Sequence, residues 1–142
     1  MRERNILGSP CKIGNLEIKN RIIMESMGNG IADLDGKVSK EDIRFYGERA
    51  KGGCGLIMSE VASVDSKTGR ANPRNICIDD DSQIPRMKEL ADAVHEYGCK
   101  FFMEPYHPGN QGISEINGGI LLTPSGVQSK LTMEPVRAMT LE

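Results

Sequence analysis

Three short apolar runs, at residues 21–24, 55–61 and 100–106, are separated by two amphipathic stretches, and this alternation leaves few folds open. The first run, Arg-Ile-Ile-Met, has the β-branched content of a strand covered on both faces and passes without a break into Glu-Ser-Met-Gly-Asn-Gly. Gly28 and Gly30 there permit backbone turns that side chains would hinder. The strand is read as extending from Arg21 to Met27, with ligand-facing residues at its C-terminal end. The second run, Gly-Leu-Ile-Met-Ser-Glu-Val, is a buried-strand pattern that turns polar only at Ser59 and Glu60. Between these runs, Ser39 stands three residues before Asp42 and announces a helix over 40–51 that buries Ile43, Tyr46 and Ala50 and stops at Gly52-Gly53. A polar loop over 62–81 leads to a second helix, in which Met87, Leu90, Ala91 and Val94 recur at helical spacing. Asp81 or Ser82 is its expected cap and Gly98 its end. Strand, helix, strand, helix, strand with short helix-to-strand turns is a parallel α/β chain.

Before the first strand, Ile13, Leu16 and Ile18 surround a Gly-Asn pair, which predicts a small hairpin able to plug the bottom of a barrel. After Pro105 the chain is rich in turn formers, which suits a long functional loop. The closing Met-Thr-Leu-Glu reads as a helix start capped by Thr140. The whole is expected to be the N-terminal portion, about three βα units, of a (β/α)8 barrel, with residues 1–142 forming one truncated domain. A closed barrel takes eight strands and about 250 residues. Either the sequence is a piece of a longer protein, or several copies cover each other's exposed strand edges as a homo-oligomer.

Charge and composition remove several function classes. With 18 Lys+Arg against 20 Asp+Glu and no basic patch, nucleic acid is not an expected partner. No run approaches the roughly 20 apolar residues of a membrane span, and Met-Arg-Glu-Arg-Asn opens no signal-peptide core, so a cytoplasmic protein is expected. Cys11, Cys54, Cys77 and Cys99 have neither C-x-x-C spacing nor histidine at ligand spacing, and are read as reduced thiols with no metal site. Gly28-Asn-Gly30 meets Asp33 where a dinucleotide fingerprint needs glycine, and P-loop, His-Glu-x-x-His and nucleophile-elbow patterns are absent. His95 is read as a solvated helix residue, and Met24 and Met58 as strand core.

The segments Pro-Cys-Lys-Ile-Gly-Asn-Leu-Glu-Ile-Lys-Asn-Arg-Ile-Ile-Met (10–24), Arg-Ala-Lys-Gly-Gly-Cys-Gly-Leu-Ile-Met-Ser-Glu (49–60), Asp-Ser-Gln-Ile-Pro (81–85), Leu-Ala-Asp-Ala-Val-His (90–95) and His-Pro-Gly (107–109) together resemble the NADH:flavin oxidoreductases of the old yellow enzyme family. The turn Met-Glu-Ser-Met at 24–27 is most similar to the branch of 2,4-dienoyl-CoA reductase and 2-enoate reductase. This resemblance implies FMN across the C-terminal mouth of the barrel, with NAD(P)H as reductant and hydride passing through flavin to an electron-poor C=C bond of a small alkene or enoyl substrate. Carried over, it places Ser26, Met27, Gly28, Val61 and Glu104 at flavin contacts and makes His107 a candidate at the substrate side. No catalytic residue of the family falls within this chain. In the longer branch, FAD and an iron-sulfur cluster are carried by further C-terminal sequence.

Two departures from the family pattern bear on chemistry. Glu104 stands where the family has glutamine, whose amide donates to the flavin pyrimidine carbonyl while accepting from N3–H; a carboxylate must be protonated or paired with a cation to do the same. Tyr-His-Pro-Gly-Asn at 106–110 replaces His-His-Ala-Gly-Arg. The expectation is an FMN-dependent ene-reductase of which this chain, inactive alone, supplies part of the flavin site; the alternative is a non-catalytic, self-associating partial-barrel module without flavin.

Overall fold

The structure, a computed structural model, describes residues 6–141; the sequence start at 1–5 and Glu142, the last residue of the expected closing helix, lie outside the described residues. Among the described residues there are seven strands and two α-helices, of which the first five strands and both helices follow the expected order. β1 (Cys11–Ile13) and β2 (Leu16–Ile18) form the antiparallel hairpin, with Cys11 opposite Ile18. Asn20 just beyond it donates through Nδ2 to the Gly53 carbonyl at 2.7 Å, and Lys19 reaches the Tyr97 carbonyl. Gly53 and Tyr97 both follow the C-terminal ends of helices, so the hairpin closes the end of the sheet where strands begin.

Three parallel strands form the central sheet in the order β3 (Ile23–Met24), β4 (Leu56–Ser63), β5 (Lys100–Tyr106). The first is shorter than Arg21 to Met27: only Ile23 and Met24 pair, with Leu56 and Ile57. Ile22 and Ile23 are also 46% and 39% exposed, so this strand is covered on one face only. Its outer edge has no neighbouring strand among the described residues.

Against the other face pack α1 (Lys40–Lys51) and α2 (Ile84–His95). The Ser39 signal holds in detail: its Oγ accepts from the Asp42 N–H at 3.0 Å while Asp42 Oδ2 accepts from the Ser39 N–H at 2.9 Å, a capping box. Tyr46 and Ala50 are buried, and Ile43 is partly covered. Leu90 and Val94 carry the inner face of α2. A 3₁₀ turn at Asp81–Gln83 precedes α2 and is capped by Asp80, which accepts from the Ser82 N–H at 2.8 Å; α2 itself follows Gln83 with no side-chain cap, so neither Asp81 nor Ser82 caps it as expected. The core between sheet and helices gathers Ile57, Ala62, Tyr46, Ala50, Leu90 and Val94.

Ile57 and Ala62 share that core although five residues apart, which strict alternation forbids. A β-bulge resolves it: Met58 pairs with Phe102 and Val61 with Glu104, so β4 spends one residue more than β5 over this span. Phe101 and Met103 pack on the helix side, leaving Phe102 and Glu104, with their partners Met58 and Val61, on the opposite face.

The expected 62–81 loop is shorter, because Ala62 and Ser63 belong to β4 and Asp81 opens the 3₁₀ turn, and it is less polar in effect than its sequence suggests. Asn75, Ile76 and Cys77 are fully buried, and the return segment bridges Ser63 to Cys77 in parallel. Beyond β5, short 3₁₀ turns lead to β6 (Leu121–Thr123) and β7 (Val136–Ala138), a parallel pair that turn-former content alone does not reveal. Residues 139–141 are not helical.

Candidate functional site

The three central strands point the same way, so the turn after β3, the end of β4 and the end of β5 gather on one rim. Val61 and Glu104 are direct register partners there. Met27 is 58% exposed and Gly28 is open, with nothing within 4 Å of where a Cβ would stand. The backbone N–H groups of Met27 and Gly28 have no acceptor among the described residues. Ser26 differs from its neighbours: its Oγ is buried and lacks a hydrogen-bond partner among the described residues.

The Glu104 carboxylate has neither a hydrogen-bond nor an ion-pair partner among the described residues, which supply no cation to neutralise it. Pro105, opposite Ala62, leaves the strand end without one N–H. His107 is fixed rather than free: its Nδ1 accepts from the Gly109 N–H at 3.1 Å, and its ring lies so close to Gly69 that a Cβ there would come within 2.6 Å of Cδ2. The loops after β4 and β5 are joined by the buried Asn117, whose Oδ1 accepts from the Arg70 N–H at 2.8 Å and whose Nδ2 donates to the Arg70 carbonyl at 2.9 Å.

Sequence reasoning missed the group that organises this rim. Glu60, read only as the polar end of a strand, is fully buried. Its Oε2 accepts from the Asn29 and Gly30 N–H groups at 3.0 and 3.4 Å, and its Oε1 from the Ile76 N–H at 3.1 Å. Burial raises its pKa, the three amides oppose that rise, and the nearby Asp42 carboxylate adds to it. Its own N–H donates to Tyr46 Oη at 2.7 Å, and burial likewise raises the Tyr46 pKa. Asn29 completes the set, donating through Nδ2 to Asp42 Oδ1 at 3.0 Å and to Tyr46 Oη at 3.4 Å. Asn75 donates to the Val61 carbonyl and accepts from the Ala71 N–H at 2.9 Å. The available signal was negative: an acidic residue inside an apolar run, with no cation in reach by spacing.

Two clefts elsewhere do not coincide with the rim. One of about 340 Å³ lies at the start of α1, lined by Ile31, Asp33, Lys40, Arg74 and Arg86, and one of about 280 Å³ lies between α2 and β5 at Gln83, Met87 and Met103. None of the five expected flavin contacts lines either. All four cysteines are free thiols. Among the described residues no cluster of three or more His, Cys, Asp or Glu could hold a metal ion, and no helix is long and apolar enough to cross a membrane.

Comparison with known proteins gives this arrangement a context. An NADH oxidase of Thermoanaerobacter brockii is 40% identical over 136 residues, 95% of this chain and 21% of the relative. A cinnamate reductase of Clostridium sporogenes is 39% identical over 127 residues, 86% of this chain and 19% of the relative. The chain thus spans about a fifth of the length of these curated relatives. Among solved structures, a 2-naphthoyl-CoA reductase in complex with 2-naphthoyl-CoA superimposes with a TM-score of 0.88 at 28% identity, covering 95% of this chain and 22% of that one. An old yellow enzyme homologue from Zymomonas mobilis gives 0.82 at 27%, covering 95% and 40%. The three parallel strands and two helices are therefore part of a (β/α)8 barrel. The family profile matches residues 7–140, and the chain belongs to the NADH:flavin oxidoreductase / NADH oxidase family.

Proposed function

We propose that this chain is the N-terminal part of an FMN-binding barrel and supplies one wall of the flavin site in an ene-reductase. The observation that carries this reading is the rim: in a member of a flavin oxidoreductase family, three parallel strand ends meet where the Met27 and Gly28 amides have no acceptor among the described residues. A flat, rigid ring needs such donors and small residues on one face, with the other left open to hydride donor and acceptor.

Bound here, FMN would supply the hydride relay between NAD(P)H and the β-carbon of an electron-poor alkene. The residues of this chain bind and orient. The Met27 and Gly28 amides would donate to the flavin, with Val61 and Glu104 as its further contacts from the strand ends. As a carboxylate Glu104 can only accept, so it would hold the N3–H alone unless it is protonated. His107, its Nδ1 held by the Gly109 N–H and its Cδ2–Nε2 edge lying against Gly69, is assigned to the substrate side by the resemblance. The alkene substrate is an aryl-acrylate or acyl-CoA type, by analogy with the names of the relatives, and the proton donor comes from sequence beyond this chain.

The test is titration of the purified chain with FMN. Quenching of flavin fluorescence with one-to-one saturation is expected, with no alkene reduction by the chain alone and reduction by a longer protein carrying further βα units. A chain that leaves FMN fluorescence unchanged even at high flavin concentration contradicts the assignment.

A second reading keeps one specific observation in its favour. Ile22 and Ile23 on the free edge of β3, and Phe102 on the sheet face away from the helices, are exposed, which suits self-association of a partial barrel without flavin. Light scattering separates the two: a closed, flavin-free oligomer of fixed size supports the second reading.

A further inference from the structure

We propose that Glu60 is a positioning residue, whose buried carboxylate clamps the amides of Asn29 and Gly30 to that of Ile76 and so holds the Met27–Gly28 turn in the geometry that receives flavin. The proposal rests on the reading of that turn as flavin-facing.

The geometry is that of a two-sided clamp. One carboxylate oxygen serves the loop after β3, at Asn29 and Gly30, and the other serves the loop after β4, at Ile76. These two loops come from neighbouring strands and share no strand ladder at this height. Gly28 is one residue from Asn29, so any shift at the clamp is passed to the turn through a single peptide unit. The other end of Asn29 is held from α1, by Asp42 and Tyr46, and Glu60 is itself oriented by Tyr46 Oη. The turn is therefore gripped from sheet and helix while Met27 and Gly28 make no hydrogen bonds of their own among the described residues. Rigid support with free donors is what a preorganised ligand edge requires.

Only a carboxylate can do this. It accepts at both oxygens, whereas the isosteric amide of glutamine accepts at one and turns an NH₂ against either Ile76 or the Asn29–Gly30 pair, donor facing donor. A residue whose sole task was to fill the core would not keep a charge under complete burial, where desolvation opposes it.

Glu60→Gln is compared with wild type and with Val94→Ala, a core truncation in α2 remote from the rim that lowers stability without touching the clamp. Two measurements are made on each full chain: amide hydrogen exchange at Asn29, Gly30 and Ile76, and the FMN dissociation constant. For Glu60→Gln, exchange at one side of the clamp is expected to accelerate at least tenfold relative to α2 amides, and FMN affinity to fall at least tenfold. Val94→Ala, at a comparable loss in Tm, should change FMN affinity less than threefold. Glu60→Asp, which retains the charge, should recover protection on one side of the clamp, and it serves as the test if the glutamine variant does not fold. Unchanged protection at all three amides, or equal loss of FMN affinity in Glu60→Gln and Val94→Ala, overturns the proposal. A wild-type chain that binds no FMN overturns the flavin reading, and the exchange data then judge the clamp alone.

Discussion

Val61 and Glu104 face each other in register on adjacent parallel strands, immediately past the bulge in β4, and the Glu104 carboxylate finds no partner among the described residues. If this pair meets the flavin pyrimidine edge, an amide at 104 should serve better than an acid. Glu104→Gln is expected to tighten FMN binding about tenfold, the worth of roughly one added hydrogen bond of 1–1.5 kcal/mol. Fluorescence titration reads it directly, and equal or weaker binding removes Glu104 from the flavin edge.

Tyr46→Phe isolates the hydroxyl at the centre of the buried network. The ring keeps its edge contacts with Phe45 and Phe101, while the Glu60 N–H loses its acceptor in a fully buried position. An unsatisfied buried donor costs about 1–3 kcal/mol. Urea denaturation should show a loss in that range; a change below about 0.5 kcal/mol would mean that the amide finds another acceptor.

Two glycines with positive φ should respond differently to alanine. Gly36, at φ 83°, would place a Cβ 2.6 Å from Cys77 Sγ, in a segment where Gly36 O also accepts from the Cys77 N–H. Gly53, at φ 108°, has nothing within 4 Å. Gly53→Ala therefore carries backbone strain alone, about 1–2 kcal/mol, and Gly36→Ala adds an overpacking cost of roughly 1–3 kcal/mol. Thermal melts of both variants check the order, and equal destabilisation would count against the contact at Cys77.

Burial pushes the Cys99 thiol up to about 11, with the neighbouring Cys54 adding to it, and burial also raises Cys77. At pH 8 an alkylating reagent should modify the partly exposed Cys11 and Cys54 and spare Cys77 and Cys99 until denaturant is added. The pH dependence follows in sign. A thiol protonated more strongly in the native state lends stability that is complete below its unfolded pKa and lost as pH rises towards 11. Mass spectrometry of labelled protein, and melts between pH 8 and 11, measure the two effects; rapid native labelling of Cys99 would contradict the burial argument.

Local patterns carried most of the architecture. Both helices, the hairpin and the parallel strand order follow from apolar spacing and from caps such as Ser39, because each is set by neighbours a few residues away. What escaped was non-local. Glu60 gains its meaning from amides 30 residues before and 16 after it, and the burial of Ile76 and Cys77 depends on their return alongside Ser63. The length of the first strand was overread for a related reason: Arg21 and Ile22 have strand composition, but the ladder to β4 begins only at Ile23. Family resemblance named the rim residues, and the structure brings Val61 and Glu104 together on it. It also turns the Ser26 hydroxyl inward, which composition could not disclose.

The pairing of β6 with β7 bears on how this chain assembles. Leu121 to Thr123 lie parallel to Val136 to Ala138, so residues 124–135 must travel out and back before the first ladder bond can close. No tight turn can nucleate such a ribbon, and the entropy of that closure is spent before any contact rewards it. The chain separation from Leu121 to Val136 is nevertheless shorter than that from Ile23 to Leu56 or from Leu56 to Lys100, so this ribbon has less closure entropy to overcome than the central sheet and can form without waiting for it.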